Sequence, residues 1–82
     1  MFHVYAISSE VRDYIYIGLT SDLNKRISEH NSGKNKTTRP YRPFTLIHSE
    51  SFSTRDEART REIQLKTGSG REYLKRIKTQ SS

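Results

Sequence analysis

The chain contains no cysteine. That excludes disulfides, cysteine-ligated zinc and thiol catalysis, and it fits a reducing, cytoplasmic location. No run approaches the ~20 apolar residues of a membrane-spanning helix, and no signal peptide is legible. Apolar residues make up only 30% of the 82, and mean hydropathy is −0.92. A domain of this size buries a modest share of its surface, so the expected core is thin. Aromatic and β-branched residues are nonetheless gathered in distinct segments, which argues against disorder. No repeat, low-complexity tract or linker divides the chain. We expect a single domain over residues 1–78, with residues 79–82 as a frayed tail.

Acidic residues are also in short supply. Nine Asp and Glu face fifteen Lys and Arg, a net charge of +6. Such an excess favours a polyanionic partner, because each neutralised phosphate releases counterions. The plain alternative is that the charge serves solubility alone.

Two segments rich in aromatic and β-branched residues, Phe2 to Ile7 and Tyr14 to Leu19, read as strands joined by the polar stretch Ser8 to Asp13. A turn centred between Glu10 and Val11 would set Tyr5 directly opposite Tyr16. On the second strand Ile15, Ile17 and Leu19 make one face, and Tyr14, Tyr16 and Gly18 the other. Thr20 or Ser21 can cap a helix from about Asp22 to Ser32, stopped by Gly33. A basic loop, Lys34 to Pro43, leads to a third strand over Phe44 to Phe52. Thr54-Arg55-Asp56-Glu57 has the form of a capping box and opens a helix ending near Thr67, with Gly68 at its stop. Ser69-Gly70-Arg71-Glu72 has the same form and opens a short helix with Tyr73, Leu74 and Ile77 on one face. The order β-β-α-β-α-α predicts a small α/β sandwich: a three-stranded, mostly antiparallel sheet flanked by about three helices.

Both longer helices place polar residues where apolar ones belong. Leu23 and Ile27 define the inward stripe of the first, and Arg26 and His30 fall on it. Ala58 and Leu65 define that of the second, with Glu62 between them. An inward carboxylate is costly unless it is paired or bound to a metal. An internal Arg26–Glu62 salt bridge is one reading. The other is a polar cleft. Two tyrosines, an arginine, a histidine and a glutamate on one side of a basic domain are the set that phosphodiester hydrolysis needs. A glutamate holds a hard divalent cation, an arginine stabilises phosphate charge, and a tyrosine or histidine moves protons.

These residues resemble the GIY-YIG endonuclease superfamily, in particular its short single-domain members, which are similar to the N-terminal nuclease domain of the repair excinuclease. Val4-Tyr5-Ala6 stands in the first motif and Tyr16-Ile17-Gly18 in the second. The stretch from Tyr16 to Gly33 looks like the family's strand and helix almost throughout. Glu62-Ile63-Gln64-Leu65-Lys66 matches the helix that carries the metal-binding acid. The ordered set Tyr5, Tyr16, Arg26, His30 and Glu62 carries the resemblance, which spans about Phe2 to Ile77. It implies a metal-dependent DNA endonuclease with Mg2+ or Mn2+ on Glu62 and Tyr5 as general base. Tyr16 would orient the phosphate or water, Arg26 would hold the scissile phosphate, and His30 would support the tyrosine. Gly18 would allow close backbone approach. A phenol with pKa near 10 is about a thousandth ionised at pH 7, so a base role implies alkaline activation and a site that lowers that pKa. Two departures stand out. Val4 replaces the usual leading glycine, and no asparagine follows Asn35, which leaves Lys66, Ser69 or Arg71 to take the place of a downstream asparagine.

The expected substrate is branched, nicked or otherwise damaged DNA, in repair or recombination. With no second domain to read sequence, we expect salt-sensitive binding or a protein partner, and no membrane. Lys34, Lys36, Arg39, Arg42, Lys66, Arg71 and Lys75, with Arg76 and Lys78, are the expected phosphate contacts. The rival expectation is a non-catalytic nucleic-acid-binding module whose cleft is filled by the Arg26–Glu62 pair.

Overall fold

The structure is a computed structural model that describes residues 1–80. Its elements are β1 (Phe2–Ser9), β2 (Ile15–Thr20), α1 (Leu23–Ser32), β3 (Phe44–Phe52), α2 (Arg55–Leu65) and α3 (Gly68–Gln80), with a 3-10 turn, Arg39–Tyr41, in the loop before β3. The sheet order is β2-β1-β3, and β1 runs antiparallel to both neighbours. This is the expected α/β sandwich in the expected order.

The sheet separates two apolar layers, as strand alternation requires. Val4, Ala6 and Ile17 face α2 and α3, packing with Ala58, Leu65 and Leu74; Ile15 and Leu19 join that side. Tyr5, Ile7 and Phe44 face the other way, with Tyr14, Tyr16, Leu23 and Ile27 against them. The thin core is thus divided by one strand, β1, whose residues 4–9 are all buried.

The hairpin register differs from the predicted one. Tyr5 lies opposite Gly18, and Tyr16 opposite Ile7. The turn is centred one residue later because Ser9 N donates to Tyr14 O, closing the loop at 2.9 Å. Ser9 Oγ accepts from the Val11 and Arg12 amides and so stabilises the turn. A slip of two residues preserves strand parity, so every side chain keeps its predicted face.

Helix ends follow local chemistry, with corrections. Asp22, rather than Thr20 or Ser21, caps α1 by accepting from Lys25 N. Gly33 ends it in the left-handed region, at φ 84, where a side chain is disfavoured. Thr54 caps α2 through Glu57 as expected. That helix ends at Leu65, not Thr67, and Gly68 begins α3 instead of stopping α2. Thr67 Oγ1 accepts from Gly70 N and donates to Gln64 O, so Thr67, not the Ser69 box, links the two helices. Gly70 sits where they cross: a Cβ there would lie 2.5 Å from Leu65 Cα. Of the predicted apolar face on α3, Leu74 is buried and Ile77 half-buried, whereas Tyr73 is exposed and meets His48 edge-on. α3 runs through Thr79 and Gln80, inside the stretch expected to fray, and Thr79 Oγ1 donates to Lys75 O. Residues 81–82 of that stretch lie outside the described residues.

Away from Tyr5 and Tyr16, β3 is pinned to α2 by a charged cluster. Arg61 Nε donates to both Glu50 carboxylate oxygens at 3.0 Å, and His48 Nε2 meets Glu50 at 2.6 Å. Burial works against the Glu50 charge, but these hydrogen bonds outweigh it and hold its pKa below the usual value.

Candidate active site

Four elements meet around Tyr5. β1 carries the phenol, which is 1% exposed. Its ring lies over Gly18 on β2, where an added Cβ would come within 2.5 Å of Tyr5 Oη. The glycine exists at this point because the tyrosine ring needs the space that a side chain would fill. Tyr16, two residues along β2, is a diagonal neighbour on the same face. Its ring centre is 6.2 Å from that of Tyr5, within the range of a tilted aromatic pair.

α1 supplies His30 from behind. The imidazole is wholly buried. Its Nε2 is 2.9 Å from Tyr5 Oη and its Nδ1 is 2.8 Å from Thr38 Oγ1. Its ring also packs 4.8 Å from that of Tyr16. Burial, with the Arg26 charge nearby, pushes the His30 pKa below 6.5, so it is neutral at pH 7. One proton arrangement that satisfies all three groups has Nδ1–H donating to Thr38 and Nε2 accepting from Tyr5; the other neutral tautomer, with both bonds reversed, satisfies them as well. Thr38 lies in the loop before β3 and is itself fully buried.

Burial acts on Tyr5 against the sequence-based expectation. The phenol's pKa is pushed up to about 12 by desolvation, with Arg26 only partly offsetting the effect. A site that lowers this pKa was expected. Burial keeps the proton on instead.

Arg26 and Glu62 do not pair. Arg26 Nη1 donates to Glu29 Oε1 at 3.2 Å. Burial weighs against its charge, yet hydrogen bonds to Tyr5 and Glu29 raise its pKa overall, so the cation is firmly held. Glu62 engages Arg59 at 2.7 Å and Lys66 at 3.2 Å, both on its own helix. The internal Arg26–Glu62 bridge that would have filled the cleft is absent because each residue has a nearer partner three or four positions away.

What remains between them is open. A cleft of ≈ 350 Å³ is lined by Tyr5, Tyr16, Gly18, Arg26 and Glu62, and by Arg55, Asp56 and Arg59 from the first turns of α2. His30 lies beneath it. The structure therefore gathers every residue of the predicted catalytic set. The basic residues predicted to touch phosphate divide into groups. Lys34 and Lys36 are exposed. Arg39 Nε donates to Gly33 O and Arg42 Nη1 to Ser32 O, so both close the C-terminal end of α1. Arg71 and Lys75 border a separate cavity with Asp13 and Tyr14. Of the three candidates for the downstream asparagine's place, only Lys66 touches Glu62.

Arg55, Arg59 and Thr38 escaped the sequence reading. The first two had a signal: residues 55, 59 and 62 share one stripe of α2 at helical spacing. Thr38 had none, because its contact with His30 depends on the path of an irregular loop.

The cleft suits a divalent cation only in one mode. Among the described residues no group of three His, Cys, Asp or Glu could enclose an ion. A hard cation is also held by one or two carboxylates, with water and substrate phosphates completing the shell. Glu62 fits that mode, and Asp56 lines the same cleft.

The family model for the GIY-YIG catalytic domain matches residues 1–77. A UPF0213 protein of Halobacterium salinarum is 45% identical over 67 residues, covering 80% of this chain and 86% of its own. One from Staphylococcus haemolyticus is 42% identical over 64 residues, with 77% and 78% covered. The solution NMR structure of a UPF0213 protein from Bacillus halodurans superposes with TM-score 0.56 at 33% identity, covering 95% of this chain and 86% of that one.

Proposed function

The chain belongs to the GIY-YIG catalytic-domain family, a nuclease superfamily, and on that premise we propose that it is a divalent-metal-dependent endonuclease hydrolysing DNA phosphodiester bonds. The observation that carries this reading is the open cleft, with Tyr5, Tyr16, Arg26 and Glu62 on its walls and no Arg26–Glu62 pair closing it. The rival, a non-catalytic binding module, was expected to have its cleft filled by that pair, but Glu62 is instead engaged by Arg59 and Lys66.

The chemistry follows from the hydrogen bonds. A water attacks phosphorus while the bond to the leaving oxygen breaks, and that oxygen takes its proton from solvent. The water's proton passes to Tyr5 Oη as Tyr5 gives its own phenolic proton to His30 Nε2. Tyr5 is then never a free phenolate, which matters because ionising a phenol of pKa about 12 at pH 7 would cost roughly 7 kcal/mol. In the tautomer whose Nδ1–H donates to Thr38, Nε2 is free to accept this proton. Arg26 binds the scissile phosphate and stabilises the charge that grows on it. Tyr16 orients the phosphate or the water. Mg2+ or Mn2+ on Glu62 would supply Lewis-acid polarisation of a phosphate oxygen.

Branched, nicked or damaged DNA, in repair or recombination, is the proposed substrate class. The test is incubation with nicked, forked and four-way-junction DNA in Mg2+, Mn2+ or EDTA. Cleavage should require metal and fall by about 10²-fold or more in Glu62→Ala and Arg26→Ala. Cleavage that survives both substitutions would sink the assignment.

A further inference from the structure

The carboxylate that would bind metal already carries two cations of its own chain. Arg59 Nη1 holds Oε1 and Lys66 Nζ holds Oε2, so both oxygens of Glu62 are engaged. These partners make a carboxylate with only 8% side-chain exposure tolerable in the free protein. They also stand where a metal ion would have to bind. Arg59 is the more exposed of the two, 63% against 46% for Lys66. It also lines the cleft beside Arg55 and Asp56, facing the same space as Arg26. A guanidinium in that position suits phosphate as well as it suits carboxylate.

We propose that Arg59 is an exchangeable counter-ion. In the free protein it occupies Glu62; when a divalent cation takes the carboxylate, Arg59 moves to a phosphate of the bound strand. Metal and nucleic acid then assist one another, since each draws away what blocks the other. The inference rests on the reading of Glu62 as the metal-binding residue.

Two binding measurements test it without cleavage. In the first, Mn2+ affinity is read from the EPR signal of the free ion, with no DNA present. Arg59→Gln should bind Mn2+ about three- to fivefold more tightly, the size of one lost competing ion pair. Arg59→Lys keeps the charge and should stay near the parent protein. An unchanged or weakened affinity in Arg59→Gln overturns the proposal, and so does equal tightening in Arg59→Lys, which would point to altered helix packing. Circular dichroism confirms that α2 is intact in each variant. Mn2+ binding that is equal in Glu62→Gln and the parent protein instead overturns the metal assignment.

The second measurement separates the two failures. In EDTA, the affinity for a short duplex is compared in the parent, Glu62→Gln, Arg59→Gln and the double variant. Freeing Arg59 by Glu62→Gln should strengthen binding, and that gain should shrink at least threefold when residue 59 is glutamine. A gain of equal size in both backgrounds means that Arg59 does not transfer to phosphate, and the exchange is wrong whatever the metal does.

Discussion

Tyr5 shows how a single residue's environment sets its chemistry. Its ring is buried, its hydroxyl meets His30, and its proton is held more tightly than in water. The pH dependence of cleavage should therefore follow His30. The imidazole must be neutral to accept a proton, and its pKa lies below 6.5. The rate should fall as pH drops through that lower value and stay level from about pH 7 to 9. A pH–rate profile with chemistry rate-limiting checks this. A tenfold rise per pH unit up to about pH 10 would mean instead that preformed phenolate is the base. Gly18 makes a second prediction at this scale. The Cβ of Gly18→Ala would strike Tyr5 Oη, Cζ and Cε1, all within 2.9 Å. The ring must shift off His30, so cleavage should drop by about 10²-fold or more, with a stability loss of roughly 1–3 kcal/mol. Thermal denaturation beside a cleavage assay reads both.

The helices bring together what the residues need. α1 delivers Arg26 to the cleft and His30 beneath it, on the stripe that its spacing predicts. α2 does the same for Arg55, Arg59 and Glu62. Arg26, His30 and Glu62 were legible because a helix with few apolar residues cannot bury polar ones without a reason, whereas Arg55 and Arg59 were not singled out. The end of α2 was not legible. Gly68 looked like a stop signal, yet Thr67 bridges straight into α3 and Gly70 allows the two backbones to touch. Gly70→Ala should therefore separate α2 from α3. The atoms in its way are Leu65 Cα and two backbone carbonyl oxygens, which cannot rotate aside. We expect a loss of about 2–3 kcal/mol, measured by urea denaturation, well above the usual gain in helix propensity from glycine to alanine.

At the scale of the molecule, charge sets how nucleic acid is met. The net charge of +6 is spread unevenly in role. Arg26, Arg55 and Arg59 face the cleft, and Lys34 and Lys36 stand exposed nearer the end of α1. Arg39 and Arg42 are tied to backbone carbonyls. A plot of log affinity against log salt should have a slope of about −3 to −5, corresponding to some three to five phosphate contacts. Lys34→Gln or Arg55→Gln should each reduce the slope by about 1. Arg39→Gln and Arg42→Gln should leave it nearly unchanged and lower stability instead, because they remove caps from α1. Filter binding at several salt concentrations, paired with melting curves, distinguishes the two groups.

The sequence by itself determined the elements, their order, the sheet face on which each strand side chain lies, and the placing of Tyr5, Tyr16, Arg26, His30 and Glu62 on one side. Those follow from periodicity and capping, which are local. The tertiary structure alone decided the hairpin register, the partners of Arg26 and Glu62, and the contact of Thr38 with His30. These depend on which loop closes where and which groups lose water together. Strand parity placed Tyr5 and Tyr16 on one face whatever the register. Only the tertiary structure could show that burial holds the proton on Tyr5.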